Sequence, residues 1–281
     1  MPAFRCPVCA QELEEDQSGL RCSDGHRYDR AREGYVNVLR GGRLKGRDHG
    51  DSDDMIRARR AVFDAGIYAP LIDAVAAQVE SAQPTAVLDV GCGEGSYLRA
   101  AVDLAACDGW GIDISKPAVR LAAQRRAARV TASGSALAGS IRFAVASAAD
   151  LPFFDDSFDV AINVFSPREF DEMRRVLVPD GVAVVATPRP EHLREIKAAL
   201  YDRPRPHDET VHPCPPFATE HVTIDIELQS SEMRRNLLMM TPFWWSSPPE
   251  RVNRFVDSFG SVHLDVRIDC YRAGELREQP K

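Results

Sequence analysis

Cys6-Pro7-Val8-Cys9 and Cys22-Ser23-Asp24-Gly25-His26 set three thiols and an imidazole at C-x2-C-x12-C-x3-H spacing. A two-residue gap lets one tight turn aim both side chains at a single ion, and zinc takes four tetrahedral sulfur or nitrogen ligands. Cys6, Cys9, Cys22 and His26 fill that shell and leave no position for water, so the predicted Zn2+ site is structural rather than catalytic. A bound ion also accounts for the folding of so short a segment, because fewer than about 40 residues rarely build a sufficient core unaided. The other cysteines, Cys92, Cys107, Cys214 and Cys270, are scattered. An odd total of seven, with no apolar N-terminal stretch of signal type, speaks against a disulfide framework.

A second chemical signal is Gly91-Cys92-Gly93-Glu94-Gly95, preceded by the apolar run Ala86-Val87-Leu88-Asp89-Val90 and followed by a helical stretch to Ala106. Strand, glycine-rich turn and helix start form a nucleotide-type unit, in which the backbone approaches the ligand closely and helix N-terminal amides point at it. Trp110-Gly111-Ile112-Asp113 ends a second strand, and its acid suits ribose hydroxyls. The spacing is G-x-G-x-G, which suits neither a dinucleotide pyrophosphate nor an ATP phosphate tail.

The elements that must position these groups follow from periodicity. Met55, Ala58, Val62 and Ala65 mark a helix from about Asp53 to Ala65, and Leu71, Val75 and Val79 one from Pro70 to about Ser81. The net charge of −7 argues against a basic nucleic-acid-binding protein as a whole, yet Arg21 to Arg47 carries eight basic and three acidic residues. Arg40, Arg43, Lys45 and Arg47 form its acid-free end, among glycines, and offer an electrostatic footprint for phosphates. Composition is ordinary for a globular chain, with 44% hydrophobic and 27% charged residues, and no apolar run reaches membrane-spanning length. A cytoplasmic protein with no membrane partner is expected.

The glycine loop and its acids resemble the class I S-adenosylmethionine-dependent methyltransferases. Ser147-Ala148-Ala149-Asp150 looks like that family's adenine-side segment, Phe158 to Phe165 like its fourth strand, and Leu177-Val178-Pro179-Asp180-Gly181 like the loop before its fifth. The resemblance implies an α/β fold, a Rossmann-like seven-stranded sheet with helices on both faces, preceded here by a small zinc-ribbon-like module. It divides the chain into 1–38 (zinc module), 39–83 (basic loop and connecting helices) and 84–281 (methyltransferase domain).

A narrower resemblance rests on Cys6 to His26, Glu33-Gly34-Tyr35-Val36-Asn37, Gly50-Asp51-Ser52 with Met55 and Ala58-Arg59, Asp64-Ala65-Gly66-x-Tyr68, Asn163-Val164-Phe165-Ser166-Pro167-Arg168 and Met240-Thr241-Pro242-Phe243. In this order they look like the 23S rRNA (guanine-N1)-methyltransferases of the RlmA type, a family that includes macrolide-resistance members of tylosin producers. The family implies methylation of a guanine N1 in a stem-loop lining the peptide exit tunnel, a zinc module that helps grip the large-subunit rRNA, and a homodimer. It implies S-adenosylmethionine contacts at Tyr68, Asp89, Gly91, Gly93, Glu94, Gly95, Asp113, Ile114, Ser147, Ala148, Asn163 and His192. Asn163, Phe165 and Arg168, at the end of the fourth strand, are the expected catalytic group beside the acceptor.

Looped RNA bases are recognised by stacking on aromatics and by Arg, which fits Phe165 and Arg168. No residue declares itself as the base for the N1 proton. His207, His212, His221 and His263 show no metal spacing and read as surface or core histidines, and Trp244 and Trp245 as core. Two other readings stay open: a small-molecule methyltransferase, favoured by Leu151-Pro152-Phe153-Phe154, and a binding module with a decayed cofactor site, disfavoured by the intact Asp89, Gly91, Gly93, Gly95 and Asp113.

Overall fold

The computed structural model describes residues 2–39, 52–124, 139–208, 212–258 and 260–276. The expected phosphate-binding residues Arg40, Arg43, Lys45 and Arg47 lie outside them.

The N-terminal segment is an antiparallel sheet of β1 (Phe4–Arg5), β2 (Glu12–Glu15), β3 (Gly19–Arg21) and β4 (Arg27–Asp29), paired in that order. Two reverse turns link its strands. In one, Ala10 donates to the Cys6 carbonyl at 2.8 Å; in the other, Gly25, at φ +86°, donates to the Cys22 carbonyl at 3.0 Å. Glycine adopts that left-handed conformation without a Cβ clash. The turns bring the four candidate ligands to one end of the sheet.

The large sheet begins unexpectedly early. β5 (Val36–Asn37) pairs in parallel with β8 (Ile141–Val145). Two helices follow. In α1 (Asp53–Asp64), Ser52 caps the N-terminus by accepting from the Met55 amide at 3.3 Å; α2 (Ala69–Ser81) opens with Pro70. Then come β6 (Ala86–Val90), α3 (Ser96–Ala105), β7 (Asp108–Asp113), α4 (Lys116–Gln124), β8, β9 (Phe158–Val164), α5 (Phe170–Val176) and β10 (Leu177–Pro188). The chain closes with α6 (Arg194–Leu200), β11 (Ala218–Glu227), α7 (Ser231–Met239), α8 (Phe243–Ser246), α9 (Pro249–Ser258) and β12 (Ser261–Arg272).

Strand order is β11-β12-β10-β9-β6-β7-β8-β5, with β12 antiparallel to both its neighbours. The seven expected strands are present, and β5 adds an eighth at the edge. The loop expected over Leu177–Gly181 is instead part of β10, where the register to β9 shifts between Leu177 and Val182. Strand β6 sits centrally, so the glycine turn after it opens where the order reverses, the usual ligand crevice of such sheets.

Each face of the sheet has its own core. Along β10, Val182, Val184 and Ala186 pack with α2, α3 and the C-terminal helices, while Ala183 and Val185 pack on the other face. Helix α5 covers part of that second face, and the N-terminal ribbon covers more of it. Leu13 and Leu20 from the ribbon share a core with Trp110, Phe153 and Phe158. The Arg5 amide donates to the Pro152 carbonyl at 2.8 Å, and the Arg142 guanidinium lies over the Trp110 ring at 5.2 Å. Among the described residues no single helix is long and apolar enough to cross a membrane.

Candidate functional site

The ligand atoms of Cys6, Cys9, Cys22 and His26 all lie within 4.8 Å of one another. Cys9 Sγ is 3.6 Å from Cys22 Sγ, and Cys22 Sγ is 3.3 Å from His26 Nδ1. A tetrahedral zinc with bonds of about 2.3 Å to sulfur has an S···S edge of about 3.8 Å, so the donor set and its size fit that ion. Desolvation opposes a thiolate at Cys6, but hydrogen bonds from the Tyr28 hydroxyl and from the Val8 and Cys9 amides lower its thiol pKa. Desolvation and the neighbouring Cys6, Cys22 and Asp24 side chains raise that of Cys9, so without an ion the paired thiols share their protons unequally. A thiolate is the form that binds metal.

At the C-terminal edge of the central strands lies a cavity of about 840 Å³. One wall is the glycine turn. Gly91 has φ +85°, and a Cβ there would fall 2.0 Å from Ser166 Oγ, so only glycine lets the turn pass the β9 loop. The Gly91 and Cys92 amides donate to the Ile112 carbonyl at 2.9 Å. Asp113, at the end of β7, fastens the turn further: Oδ2 accepts from the Gly93 amide at 2.9 Å and Oδ1 from the Ser115 amide at 2.8 Å.

Of the expected cofactor contacts, Tyr68, Gly91, Gly93, Glu94, Asp113, Ile114, Ser147, Ala148 and His192 line this cavity. Asp89, Gly95 and Asn163 do not. Asp89 is buried beneath the turn with Oδ2 unpartnered, and burial, then the charges of Asp113 and Glu94, push its carboxyl up to about 8. Gly95 starts α3 at φ +83°, against the Phe143 ring. Asn163 is 1% exposed and acts as a tether: Nδ2 donates to the Val90 carbonyl at 3.2 Å and the Pro167 carbonyl at 3.1 Å. It joins the end of β6 to the loop after β9 rather than facing the cavity.

That loop carries Phe165 and Arg168, both on the cavity wall. Phe165 has φ +52° and is 42% exposed, an unusual state for a large aromatic residue. Its ring lies 5.4 Å from that of His192, which in turn lies 5.7 Å from the ring of His207. His207 is therefore a cavity residue, contrary to the surface or core placement read from sequence. Burial lowers the His192 pKa to about 3, so the ring is neutral.

Sequence reasoning missed other parts of the wall. Met55, Arg59 and Phe63 come from α1, and Met240 to Phe243 from the turn between α7 and α8. The guanidinium of Arg59 reaches Gly93, with Nη1 3.3 Å from where a Cβ would stand. Phe63 packs edge-on to Tyr68 at 5.2 Å and to Tyr97 at 5.8 Å. Met55, Arg59 and the Met240–Phe243 stretch stand in motifs of the family resemblance that assign them no contact, whereas Phe63 carried no sequence signal. Trp245 is 56% exposed rather than core.

Two family descriptions match the chain: "RlmA, N-terminal" over residues 4–40 and "Methyltransferase domain" over residues 87–181. The 23S rRNA (guanine(748)-N(1))-methyltransferase of Streptomyces fradiae is 36% identical over 273 residues, covering 92% of each chain. A Bacillus subtilis (strain 168) protein, provisionally named a 23S rRNA (guanine-N(1)-)-methyltransferase, is 31% identical over 290 residues, covering 95% of each. The crystal structure of the Bacillus subtilis YcgJ protein overlays 69% of this chain and 97% of its own at 16% identity, with a TM-score of 0.44.

Proposed function

The chain belongs to the RlmA-type family of 23S rRNA (guanine-N1)-methyltransferases, and on that premise we propose that it methylates N1 of a guanine in a 23S rRNA stem-loop lining the peptide exit tunnel. The observation that carries this reading is one cavity with two unlike walls. The glycine turn and Asp113 suit a nucleoside with an amino-acid tail, while exposed Phe165 and Arg168 suit a splayed base. S-adenosylmethionine supplies a methyl group already activated by its sulfonium.

The protein's work is then positioning and exclusion of water. Gly91, Gly93 and Glu94 with Tyr68 would hold the methionine end, Asp113 and Ile114 the ribose, and Ser147 and Ala148 the adenine. Asp89 and Gly95 support that turn from behind. Asn163 positions the acceptor loop, and Phe165 stacks the guanine within reach of Arg168. His192 borders both halves.

The zinc module, residues 1–38, would grip the RNA together with Arg40, Arg43, Lys45 and Arg47 in the segment 39–83, leaving 84–281 as the methyltransferase domain. The working form is a cytoplasmic homodimer, and methylation of the tunnel loop would alter macrolide sensitivity. Nucleoside mass spectrometry tests the chemistry. Unmodified 23S rRNA incubated with the protein and S-adenosylmethionine should gain N1-methylguanosine; a different methylated nucleoside would overturn the reading.

A further inference from the structure

The amino-acid end of S-adenosylmethionine carries an ammonium, a sulfonium and a carboxylate. The residues assigned to that end so far suit the cations and not the carboxylate. Glu94, on the cavity wall, is an acid whose Oε1 accepts from the Ser96 amide at 3.1 Å, and Asp113 beyond it is another acid, with both oxygens on backbone amides. Acids so placed attract an ammonium and repel a carboxylate. The question rests on the cofactor half of the proposed function and is independent of the acceptor.

A carboxylate drawn out of water into a cavity needs a cation that meets it with hydrogen bonds. Among the described residues two arginines and no lysine line the cavity, Arg59 and Arg168. Arg168 stands on the loop after β9, on the acceptor side. Arg59 is half-buried on α1 and reaches the glycine turn, with Nη1 3.3 Å from the point that a Cβ on Gly93 would occupy. Both residues line the cavity, so the guanidinium flanks the space that the turn borders. The helix fixes this placement. Ile56, Ala58 and Val62 form its buried stripe, which sets Met55, Arg59 and Phe63, four residues apart, along the cavity. The Phe63 ring is held edge-on by Tyr68 and Tyr97, and Asp53 pairs with Arg120 of α4 at 3.1 Å. The flanking arginines serve the helix surface instead: Arg57 pairs with Asp54, and Arg60 with Asp64.

We propose that Arg59 binds the α-carboxylate of S-adenosylmethionine. A guanidinium presents a planar fork of N–H donors that matches the two oxygens of a carboxylate, and this leaves Glu94 for the ammonium. Opposite charges on the two sides of the turn then fix which way round the amino-acid tail lies. The methyl–sulfur bond is oriented with it toward the acceptor side of the cavity, where Phe165 and Arg168 stand. The same contact makes the site selective for a nucleoside that keeps its carboxylate.

The test is calorimetric binding of two ligands to the full-length wild type, Arg59→Gln and Arg59→Lys. One ligand is S-adenosylmethionine; the other is decarboxylated S-adenosylmethionine, which keeps the adenosine, the sulfonium and the ammonium. Arg59→Gln should bind S-adenosylmethionine roughly 10- to 150-fold more weakly, the loss expected for a hydrogen bond between charged groups, and the decarboxylated ligand within about threefold of the wild type. The wild type should prefer the carboxylate-bearing ligand, and Arg59→Gln should lose most of that preference. Arg59→Lys, which keeps the charge without the fork, should fall between the two proteins. Unchanged affinity for the decarboxylated ligand also shows that the variant is folded with its site intact. Equal losses for both ligands in Arg59→Gln would make the guanidinium a support of the glycine turn, and an unchanged affinity for S-adenosylmethionine would remove it from the site; either result overturns the assignment. A wild type that binds neither ligand would instead refute the cofactor reading on which it rests.

Discussion

Phe4 of the zinc ribbon stacks on Phe153 of the methyltransferase sheet, with ring centroids 4.9 Å apart and planes at 30°. Phe153 in turn meets Phe158 edge-on at 4.9 Å. The row places the ribbon on a sheet face that would otherwise expose Trp110, Phe153 and Phe158 to water. Phe4→Ala should therefore cost about 3 kcal/mol, the lower end for a buried Phe to Ala change. Urea denaturation measures it, with metal content still at one zinc per chain. An unchanged midpoint would mean that the ribbon rests on the sheet without stabilising it.

The zinc site permits a separate test. Cys22→Ser removes one of two ligands that lie 3.6 Å apart, so the ribbon loses both its ion and its order. Zinc content should fall, and the melting temperature with it. Below the melting transition, S-adenosylmethionine affinity should change by only a few fold, because no zinc ligand lines the cavity. Methylation of rRNA should fall much further. Equal loss of both would make the ribbon a support for the whole fold.

Asp89 makes stability depend on pH. Burial and then the charges of Asp113 and Glu94 raise its carboxyl from 3.8 to about 8, so the folded chain keeps a proton that the unfolded chain has lost. The contribution is full below about pH 4 and is lost as pH rises toward 8, since stability falls wherever the native state binds more protons. Asp89→Asn removes that dependence. Denaturation of the ligand-free protein should show the variant gaining on the wild type from about pH 5 to about pH 8; parallel profiles would contradict the raised value.

Phe165 is exposed and held at a positive φ beside His192. If a base stacks on it, Phe165→Ala loses about 1–3 kcal/mol of RNA interaction, a rise in KM for rRNA of roughly 5- to 150-fold. Cofactor affinity measured by calorimetry should be unaffected. A loss confined to cofactor binding would make the ring a wall of the other half of the cavity.

What the sequence made legible was local. The zinc ligands sit in two short turns, and the glycine turn with Asp113 spans one strand–helix–strand unit, so spacing alone located them. Long-range assembly was not legible. Phe63 enters the cavity from a helix whose periodicity marks only its buried stripe, Arg59 stands in a motif that assigned it no contact, and His207 arrives on a Pro-rich segment with no pattern of its own. Asn163 stands inside a recognised motif, yet its side chain turns back to the Val90 and Pro167 carbonyls, a direction that a motif does not encode. Val36-Asn37 is too short for alternation to announce a strand, and pairing with β8 makes it one.

The central claim is that one cavity joins an S-adenosylmethionine site to a guanine acceptor in 23S rRNA. It is tested most directly by incubating the protein with labelled S-adenosylmethionine and unmodified large-subunit rRNA, then mapping the product by primer extension. N1 methylation blocks base pairing, so the account predicts label in the RNA and a polymerase stop at one guanine of the tunnel-lining stem-loop. Absence of label with cofactor binding intact would contradict it, and would move a small-molecule acceptor to the front.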